Sequence, residues 1–275
     1  MLIAQLSDFH ARPAGVAAYA GLDTCALMRQ AIAAVNGLDP RPDCVIVSGD
    51  LTDCGLAAEY EAVAEALSAL AMPCYLIPGN HDRRETMRAV LGGRFPTLRQ
   101  DPAFLHYAVD DFPVRLIALD TVVAGAHGGD ICPARQAWLA GALAVGGGRP
   151  TLIVMHHPPF RTGVPAMDPM MCRTAPAFES LIRDHPEIGL IATGHYHRPI
   201  MRRYAGTIGF VAPGTAHQVA FDLRPGQPTR LIHEPPGFAV HSYSATDGFV
   251  SHIIPIGAFG PIHEFELPAE YPGQS

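Results

Sequence analysis

The sequence contains no lysine; all 19 of its basic residues are arginine. This excludes a Schiff-base lysine and the lysine of a GxxxxGK phosphate loop. No block of basic charge occurs and the formal net charge is -7, which argues against a nucleic-acid polymer as partner. No apolar run approaches the roughly 20 residues that a membrane-spanning helix needs. The start, MLIAQLSDFH, lacks the basic region and long apolar stretch of a secretory signal. The six cysteines, at positions 25, 44, 54, 74, 132 and 172, form no Cys-x-x-Cys pair, so they read as reduced structural thiols and not as a zinc site. Neither GxSxG nor a Ser-His-Asp order is present. The expectation is a cytoplasmic protein with no membrane partner.

What is present is enough apolar residue for a sizeable core: 48% of 275 positions. Apolar runs at 2–6, 43–47, 74–77, 151–155 and 188–193 read as buried strands. They alternate with helical patterns at 24–35 (capped by Asp23), 56–70, 84–91, 133–143 and 176–184. Residues 104–109 and 114–119 read as an antiparallel pair turned at DDFP. This alternation predicts an α/β layered fold. After residue 198 only short strand-like runs split by Pro and Gly follow. We therefore expect a core over residues 1–220 and a β-rich C-terminal cap or oligomerisation segment over 221–275.

Polar residues gather where the strands end. Asp8 and His10 follow the first run, Asp50 (SGDLTD) the second, and Asn80-His81-Asp82 (PGNHD) the third. His156-His157 (MHHPP) follows the run at 151–155, and His195 and His197 (GHYH) the run at 188–193. Any one of these is ordinarily a turn or cap residue. Together they bring imidazole and carboxylate donors to one rim of an open sheet, where ligand sites lie. The set suits first-row transition metals and exceeds what one ion coordinates, so two ions are expected.

The ordered blocks Asp8-Phe9-His10, Gly49-Asp50, Gly79-Asn80-His81-Asp82, His156 and Gly194-His195-Tyr196-His197 resemble the calcineurin-like metallophosphoesterases. The spacing, with MHHPP and PGTAHQV, is most similar to the bacterial glycerophosphodiesterase and class III cyclic-nucleotide phosphodiesterase branch. The resemblance implies a four-layer αββα sandwich. It implies that Asp8, His10 and His197 hold one divalent ion, that Asn80, His156 and His195 hold a second, and that Asp50 bridges them. Family members use iron, manganese, zinc or cobalt, and the sequence does not choose among them.

The resemblance further implies hydrolysis of small phosphodiesters. The two ions would supply hydroxide near neutral pH for attack on phosphorus, and the site would keep about one positive charge beside an anionic diester. His81 resembles the family histidine that contacts phosphate or protonates the leaving oxygen, with Asp82 expected to orient it. His157 reads as a buried structural histidine, or else as support for a ligand. His217 is a candidate near the substrate, or else a surface loop histidine. Asn80, a neutral amide, is expected to make the second ion the more labile. The remaining alternatives are a phosphomonoesterase and a non-catalytic scaffold; the filled ligand positions weigh against the latter. The C-terminal strands are expected over the site mouth, at a homo-oligomer interface, or both.

Overall fold

In the computed structural model, which describes residues 1–13, 15–174 and 176–264, the first apolar run forms strand β1 (Leu2–Leu6). Strands β2 (Cys44–Val47) and β3 (Cys74–Leu76) lie parallel beside it, paired Ile3↔Cys44 to Leu6↔Val47 and Val45↔Cys74 to Val47↔Leu76. Helices α1 (Thr24–Asn36) and α2 (Ala57–Leu67) make the crossovers, and α3 (Arg84–Leu91) follows β3. Asp23 caps α1 by accepting from the Ala26 N–H at 2.9 Å. Helix α2 stops short of the expected Leu70. Its last turn tightens into i→i−3 bonds from Ser68, Ala69 and Leu70 to Glu65, Ala66 and Leu67, the usual way of satisfying terminal carbonyls.

The second half builds a six-stranded sheet from β4 (Tyr107–Val109), β5 (Arg115–Ala118), β6 (Thr151–Val154), β7 (Ile188–Thr193), β8 (Ile200–Tyr204) and β9 (Thr207–Val211), in the order β4-β5-β6-β7-β9-β8. β5, β6, β7 and β9 are parallel, and β4 and β8 close the edges antiparallel. Helices α4 (Pro133–Ala144) and α5 (Pro176–Arg183) connect β5 to β6 and β6 to β7.

The period of two along a strand explains the layering. Leu116, Leu152, Leu190 and Phe210 point into one core, shared with β1, β2, α1 and α2. Their strand neighbours Ile117, Ile153, Ile191 and Val211 point into a second core, shared with Leu139 and Leu143 of α4 and Phe178 and Ile182 of α5. Each central strand is thus apolar on both faces. The result is the expected αββα sandwich. Polar links cross it: buried Gln5 on β1 donates to Thr193 O at the end of β7 at 2.9 Å, and Tyr107 on β4 donates its hydroxyl to Leu76 O on β3 at 2.8 Å.

The C-terminal segment departs from the expected cap. β10 (Gln218–Val219) and β11 (Leu231–Ile232) form a small ribbon across the anticipated boundary at 220. β12 (Gly237–Ser244) and β13 (Gly248–Pro255) instead join the first sheet, giving the order β13-β12-β1-β2-β3. β12 pairs antiparallel with β1 from Leu2↔Ser242 to Gln5↔Ala239. Without it, β1 would be an open edge of unpaired N–H and C=O groups. Phe238 and Ala239, both fully buried, complete the core against β1. Residues 265–275 of the expected segment lie outside the described residues.

Candidate metal centre

The carboxyl ends of β1, β2, β3, β6 and β7 meet at one rim. The loop after β1 zips onto the loop after β2 through Asp8 N→Gly49 O, His10 N→Asp50 O and Ala11 N→Leu51 O, at 3.0, 3.0 and 3.1 Å. Five site residues occupy left-handed backbone, with φ of 58° at Asp8, 45° at His10, 50° at Asp50, 70° at His195 and 49° at His197. Few non-glycine residues tolerate this conformation, and where it is kept it marks functional sites. The tight turns leave no room beside them. A Cβ on Gly79 would stand 2.2 Å from Asp50 Oδ1, and one on Gly49, at φ 95°, would stand 2.5 Å from His156 Nδ1.

These turns place oxygen and nitrogen atoms against each other. His10 Nε2 lies 3.2 Å from His197 Nε2 and 3.7 Å from Asp50 Oδ2, and His197 Nε2 lies 3.4 Å from Asp8 Oδ1. On the other side of Asp50, His156 Nε2 lies 3.3 Å from the Asp50 carboxylate and 3.1 Å from Asn80 Oδ1. Asp8, His10, Asp50 and His197 form one buried cluster of donors close enough to share an ion. His195 stands beside His156, ring centres 5.0 Å apart.

The outer nitrogens fix the tautomers. His156 Nδ1 donates to Ser48 O at 2.8 Å, His197 Nδ1 to His217 O at 2.9 Å and His195 Nε2 to Met170 O at 3.1 Å. His10 Nδ1 faces Asp53 Oδ1 at 3.5 Å. In the neutral form of each ring the opposite nitrogen carries a bare lone pair. On both sides of Asp50, lone pairs therefore face lone pairs and carboxylate oxygens in a buried space, an arrangement that a cation between them satisfies. Ligand imidazoles elsewhere are oriented by just such carbonyl and carboxylate partners. The donor set fits divalent ions, which the residues on the two sides of Asp50 would hold.

Electrostatics point the same way. Burial raises the Asp8 pKa, reinforced by the Asp50 charge and opposed by His156 and His10. Asp50 is equally buried, but His156, His81 and His10 hold it well below the usual carboxylate range. Burial disfavours charge on His156 too, yet Asp50 and Asp8 raise that imidazole to about 9. Burial, together with the neighbouring His10, pushes His197 down to about 3.

The other anticipated residues separate into three kinds. His81 reaches the site: its N–H donates to Asp50 Oδ1 at 2.8 Å, and its ring Nδ1 donates to Asp53 O at 2.7 Å, leaving Nε2 for the cavity. His217 also reaches it. It is buried, its ring is 4.3 Å from that of His197, and its Nδ1 has no protein partner among the described residues. Asp82 does not orient His81. Its carboxylate accepts from the N–H groups of Gly79, Leu51 and Thr52, and from the hydroxyls of Thr52 and Tyr60, at 2.9–3.2 Å. It fastens the loops after β2 and β3 together. His157 has both ring nitrogens engaged, accepting from Thr121 Oγ1 at 2.8 Å and donating to His127 O at 3.1 Å. With no lone pair free for an ion, it is structural.

Asp53 and Tyr19 were not singled out from sequence. The Asp53 side chain lies 3.8 Å from His81 Nδ1 as well as beside His10. The motif SGDLTD contains it, but a lone carboxylate three positions past Asp50 carries no signal without the turn. Tyr19 presents its ring 5.5 Å from that of His217. Together these residues surround a cavity of about 340 Å³ lined by His10, Asn80, His81, His195, His197 and His217.

Residues 1–199 match the family model for the calcineurin-like phosphoesterases. The chain belongs to that family. It is 36% identical over 250 residues to the glycerophosphodiester phosphodiesterase GpdQ of Enterobacter lignolyticus, covering 88% of this chain and 90% of that one. It is 35% identical over 261 residues to a Rhodopseudomonas palustris protein named "Probable cyclic nucleotide phosphodiesterase", covering 94% and 93% of the two chains. The fold is shared with a dimetal phosphatase from Danio rerio at a TM-score of 0.66 and 15% identity, over 94% of this chain and 99% of that one.

Two predictions follow from the geometry of the phosphoesterase. In the ion-free site His156 holds a proton below about pH 9, and an ion can use Nε2 only when that proton leaves. Affinity for the ion on this side should rise about tenfold per pH unit up to that value and level off above it. Calorimetry at neutral pH in buffers of different ionisation enthalpy should show proton release on binding; no release would contradict the assignment. Secondly, Asp82→Ala should destabilise the fold by about 1–3 kcal/mol, because it strands buried N–H groups. Asp53→Asn should leave thermal stability near wild type and lower kcat. A wild-type melting temperature in Asp82→Ala would restore Asp82 to a direct role at His81.

Proposed function

We propose that this phosphoesterase hydrolyses small phosphodiesters, of the glycerophosphodiester or 3',5'-cyclic nucleotide kind. The observation that carries the reading is the pair of facing lone-pair clusters bridged by Asp50, with His81 on the cavity wall beside them. Similarity over nearly the whole chain to relatives named for these two diester classes supports it.

Asp8, His10, Asp50 and His197 would hold one divalent first-row ion, and Asp50, Asn80, His156 and His195 the other. Bound there, the pair would lower the pKa of water and neutralise charge on the phosphoryl oxygens. The protein's own groups do the rest. His81 is fixed by its Nδ1 bond to Asp53 O, so its Nε2 addresses a phosphoryl or leaving oxygen. Protonated, it can pass that proton to the departing alkoxide. His217 offers the same phosphate a ring nitrogen that is unpaired among the described residues. Asn80, a neutral ligand, contributes less attraction than a carboxylate, which makes its side of the centre the weaker one.

The six cysteines are all unpaired, as a reducing compartment keeps them, and this supports a cytoplasmic location. No described helix is long and apolar enough to cross a membrane. A homo-oligomer built through β13 is supported by that strand itself. Among the described residues it is an eight-residue open edge without charge, and it exposes Val250 and Ile253. Light scattering should find the wild type oligomeric and Val250→Glu monomeric; a monomeric wild type at micromolar concentration removes the interface.

The activity test compares an aryl phosphodiester with the matching monoester at one pH and metal loading. The diester should give the higher kcat/KM. A monoester better by tenfold, about 1.4 kcal/mol of transition-state stabilisation, replaces the diesterase with a phosphatase.

A further inference from the structure

A second cleft, of about 510 Å³, opens beside the metal-centre cavity and shares Asn80, His81 and His127 with it. Its remaining walls come from Asp53 and Cys54 after β2, from Asp82 and the start of α3 at Arg83–Glu85, and from the loop of residues 122–127. That loop is held at both ends. Arg84 pairs bidentately with Asp120, at 2.5 and 2.9 Å, and donates to Val122 O at 2.5 Å. Arg135 donates to the same carbonyl at 2.6 Å. At the far end His127 O accepts from buried His157. Between these anchors Val123, Ala124, Gly125 and Ala126 bring only small apolar side chains to the wall.

Arg84 is therefore consumed by structure, and the cation facing this cleft is Arg83. Its stem packs on Gly55, where a Cβ would stand 2.5 Å from Arg83 Cγ. No carboxylate among the described residues pairs with its guanidinium. The cleft thus combines a low-polarity wall, a planar cation with a braced stem, and two histidines, His81 and His127, at the seam with the metal-centre cavity. A phosphodiester has two substituents on phosphorus, and the junction at Asn80 and His81 lets one of them leave the small cavity for the larger cleft. A planar heteroaromatic group suits this combination: it buries an apolar face and takes the guanidinium on its ring or its acceptor edge. A glycerol substituent would leave the apolar wall and Arg83 unused.

Resting on the diesterase reading above, we infer that this cleft is a specificity site for a nucleoside-sized aromatic substituent of the diester, recognised by Arg83 and the 123–126 wall.

The test uses two aryl diesters with the same leaving group, one carrying a nucleoside and the other an ethyl group. The full-length metal-loaded protein is compared with Ala126→Trp and Ala124→Trp, which fill the cleft, and with Arg83→Ala. The wild type should prefer the nucleoside diester by about tenfold or more in kcat/KM. Either tryptophan should abolish that preference and leave the ethyl diester within about twofold of wild type. Arg83→Ala should raise KM for the nucleoside diester with kcat unchanged. Equal turnover of the two diesters by wild type, or equal losses on both in the variants, overturns the inference. Calorimetry with a nucleoside 5'-monophosphate separates this result from failure of the diesterase reading. If neither diester turns over, tighter binding by wild type than by both tryptophan variants still supports the cleft, and equal binding sinks it.

Discussion

The centre depends on backbone that is hard to hold. Asp8, His10, Asp50, His195 and His197 all sit at positive φ, each at a cost of order 1–3 kcal/mol that the surrounding structure must outweigh. It does so with two sheets. The strands ending at these residues are buried on both faces, and the loops leaving β1 and β2 are hydrogen-bonded to each other. Gln5 ties the end of β7 to β1 from inside the sandwich. Shifting either sheet would release the turns, and the donors would no longer meet.

The second requirement is electrostatic. Burying carboxylates and imidazoles away from water is unfavourable unless their charges and lone pairs are answered. Here the answer is distributed. Outer nitrogens of the histidines are satisfied by Ser48, His217 and Met170 carbonyls, which leaves the inner nitrogens bare and facing inward. Asp82 takes up the amide groups of the two loops and keeps the turn carrying Asn80 and His81 against the turn carrying Asp50. That carboxylate acts on the chemistry only through the shape it maintains.

Much of this was legible in sequence because the signals were local. A buried parallel strand is a short apolar run, and the residue after it is a polar one with a reason to be there. Phe9, between Asp8 and His10, is fully buried in the core, as expected. Asp23 as a helix cap and Pro133 opening α4 were equally local. The roles of Asp82 and the C-terminal strands were not. Nothing near Asp82 in sequence tells whether its carboxylate turns toward a histidine ring or toward three main-chain amides. The place of β12 depends on an unpaired edge of β1 more than 230 residues away.

The sequence by itself determined the strand and helix periods, the order of the ligand blocks and the absence of lysine or serine-triad chemistry, because each depends on residue type and spacing. The tertiary structure alone decided four further things: which histidine nitrogens are bare, that Asp53 and not Asp82 flanks His10 and His81, that His157 is satisfied, and that residues 237–255 finish a sheet. Each of these is fixed by contacts between segments distant in the chain, where the direction of one hydrogen bond sets the tautomer, the charge and the role of the group that makes it.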